Sequence, residues 1–225
     1  MIATFQKALF QMKLSHLQAA SAAAALCMVA ACATPPPPPP PASLSFDGAA
    51  GCTQNIEAHT AQTVTIKKRQ RAGTLSIIAG PETACQVVNE TKLPYVLYKL
   101  PGSVEISTIQ AGGVFEAKRL FASEVVTLDA ELAPVRTFGP EAFLQRGGTW
   151  SVFFPSRANE RYVLIRANPD LIGKAYLFTE QPANPAETQI GTAADAGPKT
   201  EYSYGGYVFA RVFLEEPAAV GPKEQ

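Results

Sequence analysis

The chain has 225 residues, and its 19 Lys and Arg are matched by 19 Asp and Glu, a length that suits one domain with short additions. A neutral chain lacks the surplus of bases with which nucleic-acid binders neutralise phosphate, so nucleic acid is excluded as a partner. Two His in the whole chain exclude a His-rich metal site, and 17% charged residues are too few for a bundle of surface helices.

Residues 1–31 read as a secretory signal. Lys7, Lys13 and His16 form a basic leader with no acid before Cys32, and an Ala-rich apolar run follows from Ala19 to Ala31. That run is well short of the ~20 residues a helix needs to cross a bilayer. It ends Val29-Ala30-Ala31-Cys32, the pattern of a bacterial lipobox, in which small residues fit the signal peptidase and the Cys thiol receives diacylglycerol. One acyl chain holds a protein only marginally, at ~0.8 kcal/mol per buried CH₂, but the three of a mature lipoprotein make attachment lasting. Ala33 follows the Cys in place of Asp, which favours the outer membrane, facing the periplasm. Lys7 and Lys13 leave with the signal, so the rest of the chain carries two more acids than bases. Its membrane partner is then reached through the N-terminal lipid rather than through charge.

Residues 32–43 comprise the lipidated Cys and a spacer. Pro35 to Pro41 are seven consecutive prolines. With φ fixed and no N–H to donate, they predict a polyproline II rod of about 22 Å that lifts the domain off the membrane. Cys27 departs with the signal and Cys32 takes lipid, which leaves Cys52 and Cys85 in an oxidising compartment and predicts a disulfide between them.

From 44 to 216 the pattern is that of an all-β antiparallel sandwich, jelly-roll or immunoglobulin-like, with one or two short helical turns. Strands are predicted at Thr63–Lys67, Gly73–Ile78, Tyr95–Lys99, Ser103–Gln110, Glu124–Leu128, Trp150–Phe154, Arg161–Arg166, Lys174–Thr179 and Tyr207–Leu214, with Gly and Pro pairs such as Gly112-Gly113 and Gly147-Gly148 read as turns between them. In the last of these, Val208, Ala210, Val212 and Leu214 share one face, expected to be core, and Tyr207, Phe209, Arg211 and Phe213 the other. Val104, Ile106 and Thr108 make a similar core face. One helical turn is expected at Pro140–Gln145. Another is expected at Asn168–Gly173, with Asn168 as cap, Pro169 in first position and Gly173 as terminator. Residues 181–199 read as a long loop and 217–225 as a disordered tail.

Leu97-Tyr98-Lys99-Leu100-Pro101 runs into the strand Val104–Ile109, followed by Phe121-Ala122-Ser123-Glu124-Val125-Val126-Thr127-Leu128-Asp129, Pro134 and Phe138. Arg161-Tyr162-Val163-Leu164-Ile165 then leads into the Asn168–Gly173 turn. This order, over roughly residues 90–180, resembles the maltose-operon periplasmic protein family, the MalM type. The resemblance implies an envelope protein that accompanies maltose and maltodextrin uptake and has no established catalytic activity. The lipobox and the proline spacer depart from the enterobacterial pattern of that family.

The chain offers little for catalysis, and no enzyme activity, cofactor or metal is expected. A Ser-His-Asp group needs a His to take the nucleophile's proton; His59 is the only one beyond the leader, and no Gly-X-Ser-X-Gly elbow accompanies it. Glu116, Glu124, Asp129, Glu131 and Glu141 are the central carboxylates, and nothing in their spacing pairs two across a cleft as a glycosidase requires. Lys67-Lys68-Arg69-Gln70-Arg71 reads as a hairpin loop, with contact to an anionic envelope surface as the functional alternative. Sugar binding uses aromatic faces, for which the candidates are Trp150 and the run Tyr202, Tyr204 and Tyr207 around Gly205-Gly206. The function expected is a non-enzymatic accessory binding module linked to maltodextrin or glycan uptake, with a glycan or an outer-membrane transport protein as partner. The alternative is an envelope structural or protein-interaction lipoprotein with no connection to sugar.

Overall fold

A computed structural model describes residues 37–48, 51–102, 104–177 and 199–215. The signal segment, Cys32, Pro35–Pro36 of the spacer, nearly all of the 181–199 stretch and the 217–225 tail lie outside the described residues. The fold is an all-β sandwich. Its first sheet runs β1(Gln62–Thr63)–β4(Thr91–Lys99)–β11(Tyr162–Ala167)–β7(Ser123–Leu128)–β8(Pro134–Phe138), with β3(Cys85–Val88) also paired to β4. The second runs β2(Ala72–Ala79)–β13(Gly206–Leu214)–β5(Ile106–Val114)–β10(Thr149–Pro155)–β9(Leu144–Arg146). A parallel pair, β6(Arg119–Phe121) with β12(Glu201–Ser203), makes a third, two-stranded sheet.

The period-two pattern explains the core. Val208, Ala210 and Val212 of β13 are fully buried beside Ile109 and Ala111 of β5 and Trp150, Val152 and Phe154 of β10. They meet Val96 and Tyr98 of β4, Val125 of β7 and Val163 and Ile165 of β11 in one apolar cluster. The β4 strand is buried on both faces, because Tyr95 and Leu97 join Val126, Leu128 and Leu164 in a second cluster on the outer side of the first sheet. Ile56, Ala61, Ala84 and Leu132 pack over that cluster. Leu132 is held at φ +65°, where the Asp129 carboxylate accepts the N–H groups of Glu131 and Ala133 at 3.0 and 2.8 Å. The Cys52–Cys85 disulfide, closing 33 residues of chain, ties the segment that leads to Ile56 to the start of β3.

Both expected turns are present as short 3-10 segments, at Pro140–Ala142 and Pro169–Leu171. The Asn168 side chain accepts the Asp170 N–H at 3.0 Å, and Gly173 takes φ +75°. The basic run turns at Lys67, whose carbonyl accepts the Gln70 N–H at 2.9 Å.

Four expectations change. Gly112-Gly113 is no turn but the middle of β5, between β13 and β10; a Cβ on Gly112 would stand 2.2 Å from the Trp150 carbonyl oxygen, so glycine there serves close approach of strands. The chain turns later, between Glu116 and Arg119. The face Val104–Ile106–Thr108 is broken by a bulge, since Leu214 pairs with Ile106 while Phe213 pairs with Thr108; Ile106 packs on the core, and beyond the bulge Ile109 and Ala111 take over. The strand expected at Thr63–Lys67 is confined to Gln62–Thr63, because the chain leaves the first sheet there for the second. In Lys174–Thr179 only Ala175 forms a bridge, to Glu201, and Phe178 and Thr179 lie outside the described residues.

Candidate binding face

The sequence-derived site residues fall in different places. Cys32 lies outside the described residues, and Cys52 and Cys85 are bonded to each other. Trp150, 5% exposed, is an inward residue of β10. Its indole stacks on Phe143 with ring centres 4.2 Å apart and meets Tyr202 edge-on at 5.1 Å and Tyr176 at 6.4 Å. Tyr202 is 8% exposed, and burial, followed by the neighbouring Tyr176, pushes its phenol far above the usual range. Tyr204 is half-buried; its N–H donates to the Ser43 carbonyl at 2.9 Å and its ring stands 6.1 Å from Phe46. Trp150 and Tyr202 therefore meet inside the protein, where protein rings occupy their faces. Tyr207 alone of the four is exposed, on the outer side of the second sheet.

The remaining candidates for chemistry are dispersed. His59 is exposed and lies 3.5 Å from the Glu57 carboxylate, with no hydrogen bond to a hydroxyl among the described residues. Glu116 pairs with Arg119 at 2.9 Å, Glu124 pairs with Arg166, and Asp129 caps its own turn. Among the described residues no three His, Cys, Asp or Glu side chains are placed to hold a metal ion.

What the structure does assemble is the outer face of the second sheet. Cross-strand register lays its side chains out in rungs. Thr74, Arg211, Gln110 and Phe153 form one rung and Ser76, Phe209, Gly112, Ser151 and Leu144 the next; beyond them Ile78 pairs with Tyr207, and Val114, Thr149 and Arg146 form the third. Phe209 forms the floor, only 2% exposed, beside the Gln110 amide, which donates to the Ser151 hydroxyl at 3.0 Å. Phe153 (48% exposed) and Tyr207 (39%) stand open on this face. A depression of about 510 Å³ on it is lined by Thr74, Ser76, Gln110, Arg146, Phe153 and Arg211 among others. Exposed rings beside hydroxyl, amide and guanidinium groups form the surface that saccharides use, with C–H faces packed on rings and hydroxyls bonded to polar side chains.

The two sheets differ sharply in this respect. The first is packed on both sides, and the second turns one broad side outward. Phe153, Gln110 and Arg146 were invisible to sequence reasoning because only strand register places them beside Tyr207. Arg211 was visible, as it shares with Tyr207 the non-core face of the most regular strand. Compared with family models, with curated proteins and with solved structures, the chain gives no match in any of the three.

Proposed function

We propose that this chain is a non-enzymatic outer-membrane lipoprotein, facing the periplasm, that contacts a glycan as an accessory to its uptake. Acylation at Cys32 anchors it, the prolines set its distance from the membrane, and the outer face of the second sheet makes the contact. The observation that carries the reading is that open face, with Phe153 exposed at the rim of a depression lined by both rings and polar side chains and Tyr207 exposed on the same side of the sheet. The lipobox and the MalM-type resemblance supply the location and the link to maltodextrin. Catalysis has no part in this account, since the chain's one His beyond the leader is an exposed partner of Glu57.

The test is calorimetric titration of the purified chain in detergent with maltohexaose and with a chitin hexamer, repeated with Tyr207→Ala and Phe153→Ala. Binding of a glycan that each substitution weakens about tenfold, the scale of one lost ring contact, supports the reading. Absence of heat with every glycan overturns it.

A second reading, a protein-interaction lipoprotein, draws on a different feature. The β2 strand is a sheet edge eight residues long, and no charged residue occurs from Ala72 to Pro81. Natural edges are commonly blocked by charge, so an edge left plain is suited to accept a strand from another protein.

A further inference from the structure

The five strands of the second sheet contain no Asp, Glu or Lys, and their only charged residues are Arg146 and Arg211. Both belong to the outward set, and both line the depression over Phe209. Three arginines elsewhere in the domain are committed to carboxylates, Arg119 to Glu116, Arg136 to Glu160 and Arg166 to Glu124, while Arg71 and Arg161 donate to backbone carbonyls away from this face. Arg146 and Arg211 pair with no carboxylate among the described residues. Arg211 donates from Nε to the Thr74 hydroxyl at 2.9 Å, a contact that fixes its stem, while its two terminal nitrogens have no described acceptor. Arg146 uses one terminal nitrogen on the Leu144 and Ser151 carbonyls, and its Nε and second terminal nitrogen have no described acceptor. A pair of guanidinium groups without a counter-charge, in a chain that is neutral overall, is a local excess of positive charge that a neutral sugar does not call for.

Spacing decides what kind of anion fits. The two residues lie three strands and two rungs apart, which at ~4.8 Å per strand and ~3.4 Å per residue separates their Cα atoms by roughly 20 Å. A single small ion cannot bridge that distance. An extended molecule with repeated negative groups can, and its sugar rings would cross the middle rung at Gly112 and Ser151, with Phe209 on one side of the path and Phe153 on the other. The planar fork of arginine suits a carboxylate bidentately.

We infer that the glycan held on this face is acidic, a saccharide chain bearing carboxylates, with Arg211 and Arg146 each engaging one of them. The inference rests on the glycan reading above and narrows it. The two are separated by titrating the purified chain in detergent with two hexamers of the same linkage and length, one of galacturonic acid and one of glucose (maltohexaose), and with inorganic phosphate. The galacturonate hexamer should bind at least tenfold more tightly than maltohexaose, and raising the salt should narrow that gap. Arg211→Gln and Arg146→Gln should each weaken galacturonate binding about five- to tenfold, the scale of one charge-assisted contact at a partly solvated site, and weaken maltohexaose binding by no more than about twofold, the scale of one lost neutral hydrogen bond. Arg211→Lys should recover only part of the loss. Unchanged thermal midpoints would show that these surface variants fold. Equal binding of the two hexamers overturns the inference and leaves the glycan reading standing; so does galacturonate binding that neither arginine substitution weakens. Phosphate binding as tight as that of the acidic hexamer overturns it in favour of a simple ion site. Failure of both hexamers to bind overturns the reading as well.

Discussion

Removing Arg136 should expose how one end of the sandwich is held shut. Glu160 follows β10 with its side chain wholly buried, and it accepts from Arg136 Nε at 2.7 Å and Nη2 at 2.8 Å, from the Thr127 hydroxyl at 2.7 Å and from the Arg157 N–H at 2.9 Å. The Arg136 guanidinium also donates to the Pro155 carbonyl and lies over Phe138 and Phe154, 5.3 and 4.8 Å from the ring centres. Phe138 belongs to the first sheet and Phe154 to the second, so this one cation joins both layers. Arg136→Ala leaves a buried carboxylate with two neutral donors and no counter-charge, which costs about 3–5 kcal/mol. Stability in urea should fall by that amount, and the thermal midpoint by roughly 10 °C for a domain of this size. The double variant Arg136→Met with Glu160→Leu removes the stranded charge and should recover most of the loss, because replacing a buried pair with apolar groups is often neutral or better. A loss below about 1 kcal/mol in the single variant would refute the reasoning. A double variant as unstable as the single would do the same.

Three more predictions concern other parts of the chain. Reducing the Cys52–Cys85 bond, or replacing both with Ser, should cost about 4 kcal/mol on the chain-entropy account of a 33-residue loop; an unchanged urea midpoint would count against it, as would free thiols in the oxidised protein by mass spectrometry. The Tyr98 hydroxyl donates to the Val208 carbonyl at 3.0 Å, and burial pushes its phenol far above the usual value of 10.0. The folded state therefore keeps a proton that the unfolded chain gives up, so stability declines as pH rises past about 10; Tyr98→Phe should cost about 1 kcal/mol at neutral pH and flatten that alkaline decline, and an equally steep decline in the variant would contradict the assignment. Metabolic labelling with palmitate should mark the protein and fail to mark Cys32→Ser, whereas equal labelling of both would remove the lipid anchor from the account.

What could be read from the sequence was local. The alternation in β13 placed Val208, Ala210, Val212 and Leu214 inward; the first three are fully buried, whereas Leu214, past the bulge, is half-buried and Phe209 on the opposite face is buried as well. The Asn168-Pro169 pair specified its own turn through a side-chain cap. Gly112-Gly113 misled because two glycines in isolation look like a turn. Their actual reason, the Trp150 carbonyl pressing on Gly112, is a contact between residues far apart in sequence. The strands β6, β9 and β12 have three residues each, too few to show any period, and β8 begins with a proline on a sheet edge. Trp150 and Tyr202 carry the residue types of a sugar platform, yet they close the core against Phe143. An aromatic ring has the same chemistry in either place, and only packing decides which. Conversely, Phe153 lies between two core residues of β10, and its exposure follows from pleat and register together.

Hydroxyl-radical footprinting of the full chain in detergent, with and without the galacturonate hexamer or maltohexaose at saturating concentration, tests the central claim most directly. The account predicts that bound glycan lowers oxidation of Phe153 and Tyr207 on the second sheet and leaves Leu132 and Tyr162, on the outer side of the first, unchanged. Unaltered oxidation of Phe153 and Tyr207 while glycan is bound, or protection confined to the first sheet, would contradict it.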